Sequence, residues 1–88
     1  MDTTSWREVT YNNKFDGTVK FIRNMRQNDP TFTINDLEGM LQSEYAREGL
    51  AWDGRGEVVE ISIQATIAAI QQELLLWKKD IEIKVSLP

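Results

Sequence analysis

Apolar positions recur at helical spacing in the first third of the chain. They follow the i, i+4, i+7 interval that places side chains on one helical face: Phe15, Val19 and Ile22. Asp16 is a candidate N-cap, and Pro30 disfavours helical geometry at the residue before it. The pattern predicts a first helix over residues 16–28. A strand through residues 18–22 ("TVKFI") is the alternative interpretation.

A second helical pattern follows Thr33, a candidate N-cap. Its apolar side chains share one face at 100° per residue: Ile34, Leu37, Met40, Leu41 and Tyr45. Gly49 is a suitable residue to end this helix, which we predict over residues 33–48. Two acids, Glu44 and Glu48, also fall on the apolar side, so we expect them to need a partner.

The third pattern predicts a long helix over residues 57–80, a stretch without glycine or proline. It carries two apolar lines. The bulky line is Val59, Ile63, Ile67, Ile70, Leu74 and Trp77, and the alanine-rich line is Ile61, Ala65, Ala68 and Leu75. They lie about 160° apart, with one polar line (Glu60, Gln64, Gln71, Lys78) and another (Ser62, Thr66, Glu73, Asp80) between them.

A helix that is apolar on two opposed sides is buried on both. We expect the bulky line to face the core of the chain. The alanine-rich line allows a close backbone approach, so Ile61, Ala65, Ala68 and Leu75 form a candidate homodimer face. The alternative is that the terminal segments of the same chain cover it.

Both terminal segments resemble strands. Residues 5–11 are rich in β-branched and aromatic types, and residues 81–87 alternate apolar and polar with a period of two. The whole pattern predicts a mainly all-α fold: a compact three-helix domain with a long C-terminal helix and short β-like segments at the two termini. Residues 1–88 are predicted to form a single domain.

The composition argues against an enzyme. Charged residues make up 27% and apolar residues 41% of the chain, as in an ordinary globular protein. The sequence contains no cysteine and no histidine, so thiolate chemistry, the usual general base and the commonest zinc ligand are all missing. We therefore predict no catalytic residue, no metal site and no cofactor.

The charge pattern leaves nucleic-acid binding as an alternative. The net charge is −4, which disfavours contact with phosphates. Four cations nevertheless lie on the first predicted helix: Lys14, Lys20, Arg23 and Arg26. They are candidate nucleic-acid contacts, although a solvated helix face is the favoured explanation and nucleic acid is not the expected partner.

The stretch "YAREGLAWDGRGEVVE", residues 45–60, joins the second and third helices. Its glycines lack the spacing of a phosphate loop, and its aspartate lacks the alternating acids of a calcium loop. Two interpretations remain: a small-molecule or peptide site at the 44–57 junction, or a structural lock in which Arg55 pairs with Glu44 or Glu48. The candidate cluster is Glu44, Tyr45, Glu48, Trp52, Asp53 and Arg55.

The longest apolar run, "LLLW" at residues 74–77, is too short to span a bilayer, and the first residues do not resemble a secretory signal. We expect a soluble cytoplasmic protein that makes no membrane contact. The function predicted is a small non-enzymatic, homodimeric protein-interaction or regulatory module, with an unidentified protein as a further possible partner.

Overall fold

A computed structural model describes residues 5–49 and 56–86 of the chain. They form three helices: α1 (Trp6–Asn28), α2 (Ile34–Gly49) and α3 (Glu57–Ser86). The predicted all-α fold with a long C-terminal helix is confirmed. The bounds of α2 agree with the prediction to within one residue, whereas α1 and α3 are both longer than predicted.

The first helix begins ten residues earlier than predicted. Ser5 is its N-cap, and its hydroxyl accepts a hydrogen bond from the backbone N–H of Glu8 at 3.2 Å. Asp16 lies in the helix interior and is not the cap. The strand predicted at residues 5–11 is therefore wrong from residue 6 onward, because a capped helix start satisfies backbone groups that a lone strand leaves unpaired. The alternative strand at 18–22 is wrong as well.

The turn between α1 and α2 is held by side chains of the turn itself. The carboxylate of Asp29 accepts hydrogen bonds from the backbone N–H and the hydroxyl of Thr31, at 2.9 and 2.6 Å. These bonds lower the pKa of Asp29. At the start of α2, Thr33 and Asp36 cap each other: each accepts from the other's backbone N–H, at 3.2 and 2.9 Å. Thr33 is thus the N-cap that the sequence predicts.

α3 is the central helix. It runs parallel to α1, since the ion pairs Arg7–Glu57 and Arg23–Glu73 advance in the same direction along both helices. It runs antiparallel to α2, where Gln71 faces Tyr45 and Lys78 faces Glu38. The backbones of α1 and α2 do not meet: none of their Cα atoms approach within 8 Å.

The main core lies where all three helices converge. Four buried side chains form it, with five partly buried ones packed around them: Ile22, Leu37, Ile70 and Leu74, and then Phe32, Ile34, Met40, Leu41 and Trp77. The described residues have a radius of gyration of 15.5 Å. A compact domain of this length would have about 12 Å. The molecule is elongated because α3, with its 30 residues, is far longer than the core.

The buried side of α3 is one broad arc and not two opposed stripes. Thr66 and Glu73, which the sequence places in a polar line between the stripes, are buried at the middle of this arc. Ala65 and Ala69 lie on one side of them. Four members of the bulky line, Ile63, Ile67, Ile70 and Leu74, are buried on the other side, whereas Val59 at the start of that line is 42% exposed. The hydroxyl of Thr66 donates to the carbonyl oxygen of Ser62 at 2.8 Å, so burial leaves it satisfied.

The C-terminal segment continues α3. Residues 81–86 are helical, so the strand predicted at 81–87 is wrong for these residues, and residue 87 lies outside the described part. The alternation with period two is present, but Ile81 and Ile83 are both largely exposed. Burial on one face therefore does not select a strand, and no glycine or proline interrupts the helix between Asp80 and Ser86.

Candidate functional site

The candidate cluster at the α2–α3 junction is described in part. Glu44 is buried, with 8% of its surface exposed, and both of its carboxylate oxygens accept hydrogen bonds from Arg47 Nη1, at 3.2 and 2.9 Å. The acid on the apolar face therefore has a partner one turn away on its own helix. Glu48 is half-buried. The other members, Trp52, Asp53 and Arg55, lie outside the described residues, and the contact predicted for Arg55 stays a prediction.

Tyr45, from the same cluster, connects two helices. Gln71 Nε2 of α3 donates a hydrogen bond to its phenolic oxygen at 2.7 Å. The ring remains more than one-third exposed. Glu44 and Tyr45 thus make hydrogen bonds with Arg47 and Gln71 of the same chain, as a structural junction requires.

The four candidate nucleic-acid contacts separate into two pairs. Lys14 and Lys20 are exposed on α1. Arg23 and Arg26 instead bind carboxylates of α3, Glu73 and Asp80 respectively. An arginine that binds a carboxylate is less available to a phosphate. Of the four candidate nucleic-acid contacts, Lys14 and Lys20 therefore remain the more available ones.

The pair Arg23–Glu73 joins α1 to the buried arc of α3. Arg23 Nε and Nη2 donate to the two oxygens of Glu73 at 3.0 and 3.2 Å, a bidentate arrangement. The carboxylate is 1% exposed, whereas the guanidinium side chain is 59% exposed. The hydrogen bonds and the charge of Glu73 raise the pKa of Arg23. Gln72 Nε2 adds a third hydrogen bond to the carboxylate at 3.2 Å.

Arg26 makes the next contact along the same interface. Its guanidinium carbon lies 4.4 Å from the centre of the Trp77 ring, a cation–π geometry, and its Nη2 lies 3.3 Å from Asp80 Oδ2. An open cleft of about 490 Å³ runs along this part of α1 and α3. Its lining is Arg23, Arg26, Gln27, Glu73, Leu76 and Asp80. The charges in the cleft neutralise one another, and the cleft contains no nucleophile with an activating base.

A second groove lies between α1 and α2, where their backbones stay apart. It measures about 290 Å³ and has buried Thr66 of α3 among its lining residues. The remaining lining is Asn13, Lys14, Gly17, Thr18, Phe21 and Met40. Phe21 is 49% exposed, and a Cβ added at Gly17 would meet no atom within 4 Å. The groove walls are mixed polar and apolar, with a single charged side chain, Lys14, among these lining residues.

The candidate dimer face divides into two parts. Ala65 has no exposed surface within the single chain, and Ile61 is half-buried in a cleft shared with Tyr11 of α1. Ala68 is also half-buried, whereas Leu75 is 58% exposed. The N-terminal part of the face is therefore covered by the protein's own fold, and its C-terminal part is open.

The open part contains two residues that the sequence interpretation does not include. Leu76 is 40% exposed and Ile83 is 58% exposed, on the same side of α3 as Leu75 at 100° per residue. We call Leu75, Leu76 and Ile83 the α3 apolar surface. Ile83 was assigned to the predicted strand, which is why its position beside the leucines was missed.

Two further ion-pair residues were missed at the other end of the α1–α3 interface. Arg7 donates two hydrogen bonds to the carboxylate of Glu57, and both side chains are about half exposed. The hydrogen bond from Arg7 is the main cause of a lowered pKa of Glu57; desolvation opposes it, and the positive charge of Arg7 adds a smaller lowering effect. The ion pair of Arg7 with Glu57 was not predicted because residues 5–11 were interpreted as a strand.

No protein-family model matches the chain, and neither the curated proteins nor the solved structures contain a significant match. Within residues 5–49 and 56–86, no helix is both long enough and apolar enough to cross a bilayer. Over the same ranges, no three acidic side chains converge into a group suited to a metal ion.

Proposed function

We propose that this protein is a non-catalytic, cytoplasmic interaction module that acts as a homodimer through the α3 apolar surface. The observation that carries the proposal is the exposure of three large aliphatic side chains within three turns of one helix: Leu75, Leu76 and Ile83 are 58, 40 and 58% exposed. Contiguous exposed apolar side chains of this kind mark interaction sites, while single ones are normal.

The polar groups of the molecule favour contact over catalysis. The charged side chains of the α1–α3 cleft are engaged in Arg23–Glu73 and Arg26–Asp80 pairs. The sequence offers neither histidine nor cysteine to activate a nucleophile or accept a proton near neutral pH. A role as a subunit or regulator that works through its surface needs none of these groups.

The size of the α3 apolar surface determines how strongly we expect two copies to associate. Three side chains on each of two copies bury far less than the roughly 1,600 Å² of a standard interface. Interfaces at the small end of the range are weak and transient, so we expect a dimer that forms as concentration rises from about 10 µM to 1 mM.

The experiment is sedimentation equilibrium over this concentration range. The wild-type chain is expected to pass from monomer to dimer, and the double variant Leu75→Lys with Ile83→Lys to stay monomeric, because two desolvated charges per copy oppose association. The matched control is Val9→Lys with Val58→Lys, which changes two valines of similar exposure outside the surface. Circular dichroism checks that every variant keeps its helices.

Two results would contradict the proposal. One is a wild-type chain that remains monomeric at the highest concentration. The other is an equal loss of association in the control variant, which would show that general surface hydrophobicity, and not the α3 apolar surface, drives the contact.

A further inference from the structure

The α3 apolar surface is flanked by two charges that have no ion-pair partner among residues 5–49 and 56–86. Lys79 and Glu82 are both exposed, and neither makes an ion pair within the described residues. Other charged residues of α3, including Glu57, Glu73, Lys78 and Asp80, are paired with α1 or α2.

Lys79 and Glu82 share a face with the apolar surface. At 100° per residue, Lys79 falls midway between Leu75 and Ile83, and Glu82 falls about 20° beyond Leu75. The whole set therefore spans about 120° of the helix circumference. The face presented to a neighbour is an apolar strip with one positive and one negative charge along it.

We propose that two copies pair with their α3 helices antiparallel and centred near Lys79. This proposal rests on the dimer proposed above and specifies its geometry. In this register Leu75 of one copy faces Ile83 of the other. Glu82 of one copy then lies about three residues, or 4.5 Å along the axis, from the Lys79 of the other, which a flexible lysine side chain can reach.

The parallel arrangement is less favourable in charge. Both arrangements place Lys79 against Lys79, but the parallel one also sets Glu82 directly against Glu82, and like charges in register oppose association. In the antiparallel arrangement the two Glu82 side chains lie about six residues, or 9 Å, apart along the axis, and each approaches the Lys79 of the other copy in a contact that the two-fold axis repeats, as a self-complementary interface requires.

The position of α1 favours the same arrangement. Arg26, two residues before the end of α1, pairs with Asp80, so residues 81–86 of α3 extend past the end of α1. An antiparallel pair centred near Lys79 places α1 and α2 of one copy and α1 and α2 of the other at opposite ends of the contact. A parallel pair places them side by side.

The two charges of this face favour a second copy as its occupant, because Lys79 and Glu82 of one copy can each approach the opposite charge of the other.

The first test is charge reversal, measured by sedimentation equilibrium. Lys79→Glu and Glu82→Lys are each expected to weaken the dimer by about five-fold or more, since each converts two attractive contacts into repulsive ones. The double variant Lys79→Glu with Glu82→Lys is expected to restore the wild-type constant. Failure of the double variant to restore association would overturn the antiparallel register, while Lys14→Glu serves as a control for net charge.

The second test is a pair of inter-copy distances by electron paramagnetic resonance. Because the chain has no cysteine, a spin label can be attached at Gln64→Cys or at Gln72→Cys alone. In the antiparallel dimer the label separation at 64 exceeds that at 72 by about 24 Å, from the helical rise. Equal short distances at both positions would overturn the antiparallel geometry and leave the dimer intact. An absence of any inter-copy coupling at 1 mM would overturn the dimer itself.

Discussion

The substitution Arg23→Ala tests whether the α1–α3 interface depends on a buried carboxylate. Both oxygens of Glu73 accept hydrogen bonds from Arg23, at 3.0 and 3.2 Å, and the Glu73 side chain is only 1% exposed. In the variant the carboxylate keeps one described contact, the 3.2 Å hydrogen bond from Gln72. A buried charge that loses its counter-charge is one of the costliest changes in a folded protein.

The loss of stability expected for Arg23→Ala depends on how exposed Arg23 and Glu73 are. Breaking a fully buried pair by removing one partner costs about 3–5 kcal/mol. The cost is lower here because the Arg23 side chain is 59% exposed, so water entering its place can solvate part of the carboxylate. We expect a loss of about 2–3 kcal/mol in the free energy of unfolding, or a fall of about 10–20 °C in Tm for a chain of this size.

Urea unfolding followed by circular dichroism measures this loss. Lys20→Ala is the matched control: it removes an exposed cation of the same helix and should change the free energy of unfolding by less than about 0.5 kcal/mol. The double variant Arg23→Met with Glu73→Met should recover most of the loss, because apolar replacement of a buried pair is often neutral. If Arg23→Ala unfolds at the same urea concentration as Lys20→Ala, the carboxylate does not depend on Arg23.

Three further predictions concern helix stability. Gly17→Ala and Gly39→Ala should each raise the free energy of unfolding by about 0.5–1 kcal/mol, because alanine favours helix and an added Cβ meets no atom within 4 Å; a decrease would mean that another chain packs there. Thr33→Ala should cost about 1 kcal/mol by removing the α2 cap, and an unchanged urea midpoint would contradict this. Arg7 lowers the pKa of Glu57 in the folded state, so the stability it contributes is present above the unfolded pKa of about 4.3 and is lost as pH falls through the folded value. Glu57→Gln should therefore flatten the acid limb of the stability–pH curve, and an identical limb would refute the contact.

The predictable parts of the fold are those with clear local signals. Helix α2 has an N-cap at Thr33, a single apolar face and Gly49 as its last residue, and its bounds were predicted to within one residue. Helix α1 has an equally local signal, Ser5 followed by Glu8 three positions later, the pattern of a capping box. The β-branched and aromatic residues around it favoured a strand, and the cap outweighed that preference.

The sequence contains one signal, side-chain size, that separates the buried polar line of α3 from the exposed polar line. The exposed polar side, apart from half-buried Glu60, consists of glutamines and a lysine, which need solvent around long polar groups. The buried side contains two small residues, half-buried Ser62 and buried Thr66, and the hydroxyl of Thr66 is satisfied by the helix backbone. Glu73 is the exception on that side. Its burial depends on Arg23, fifty residues earlier in the chain, and no local pattern records that contact.

Only the C-terminal part of the predicted dimer face remains a candidate for contact with a second copy. A helix with apolar residues on two sides requires two neighbours, and α1 and α2 supply both along most of α3. A second copy is therefore needed only for apolar side chains of α3 that α1 and α2 leave exposed, and Leu75, Leu76 and Ile83 are three of these. If those three side chains stay solvated at millimolar concentration, the apolar pattern of α3 is fully explained by its own fold. If two copies meet there, Lys79 and Glu82 gain the ion-pair partners that the described part of the single chain does not provide.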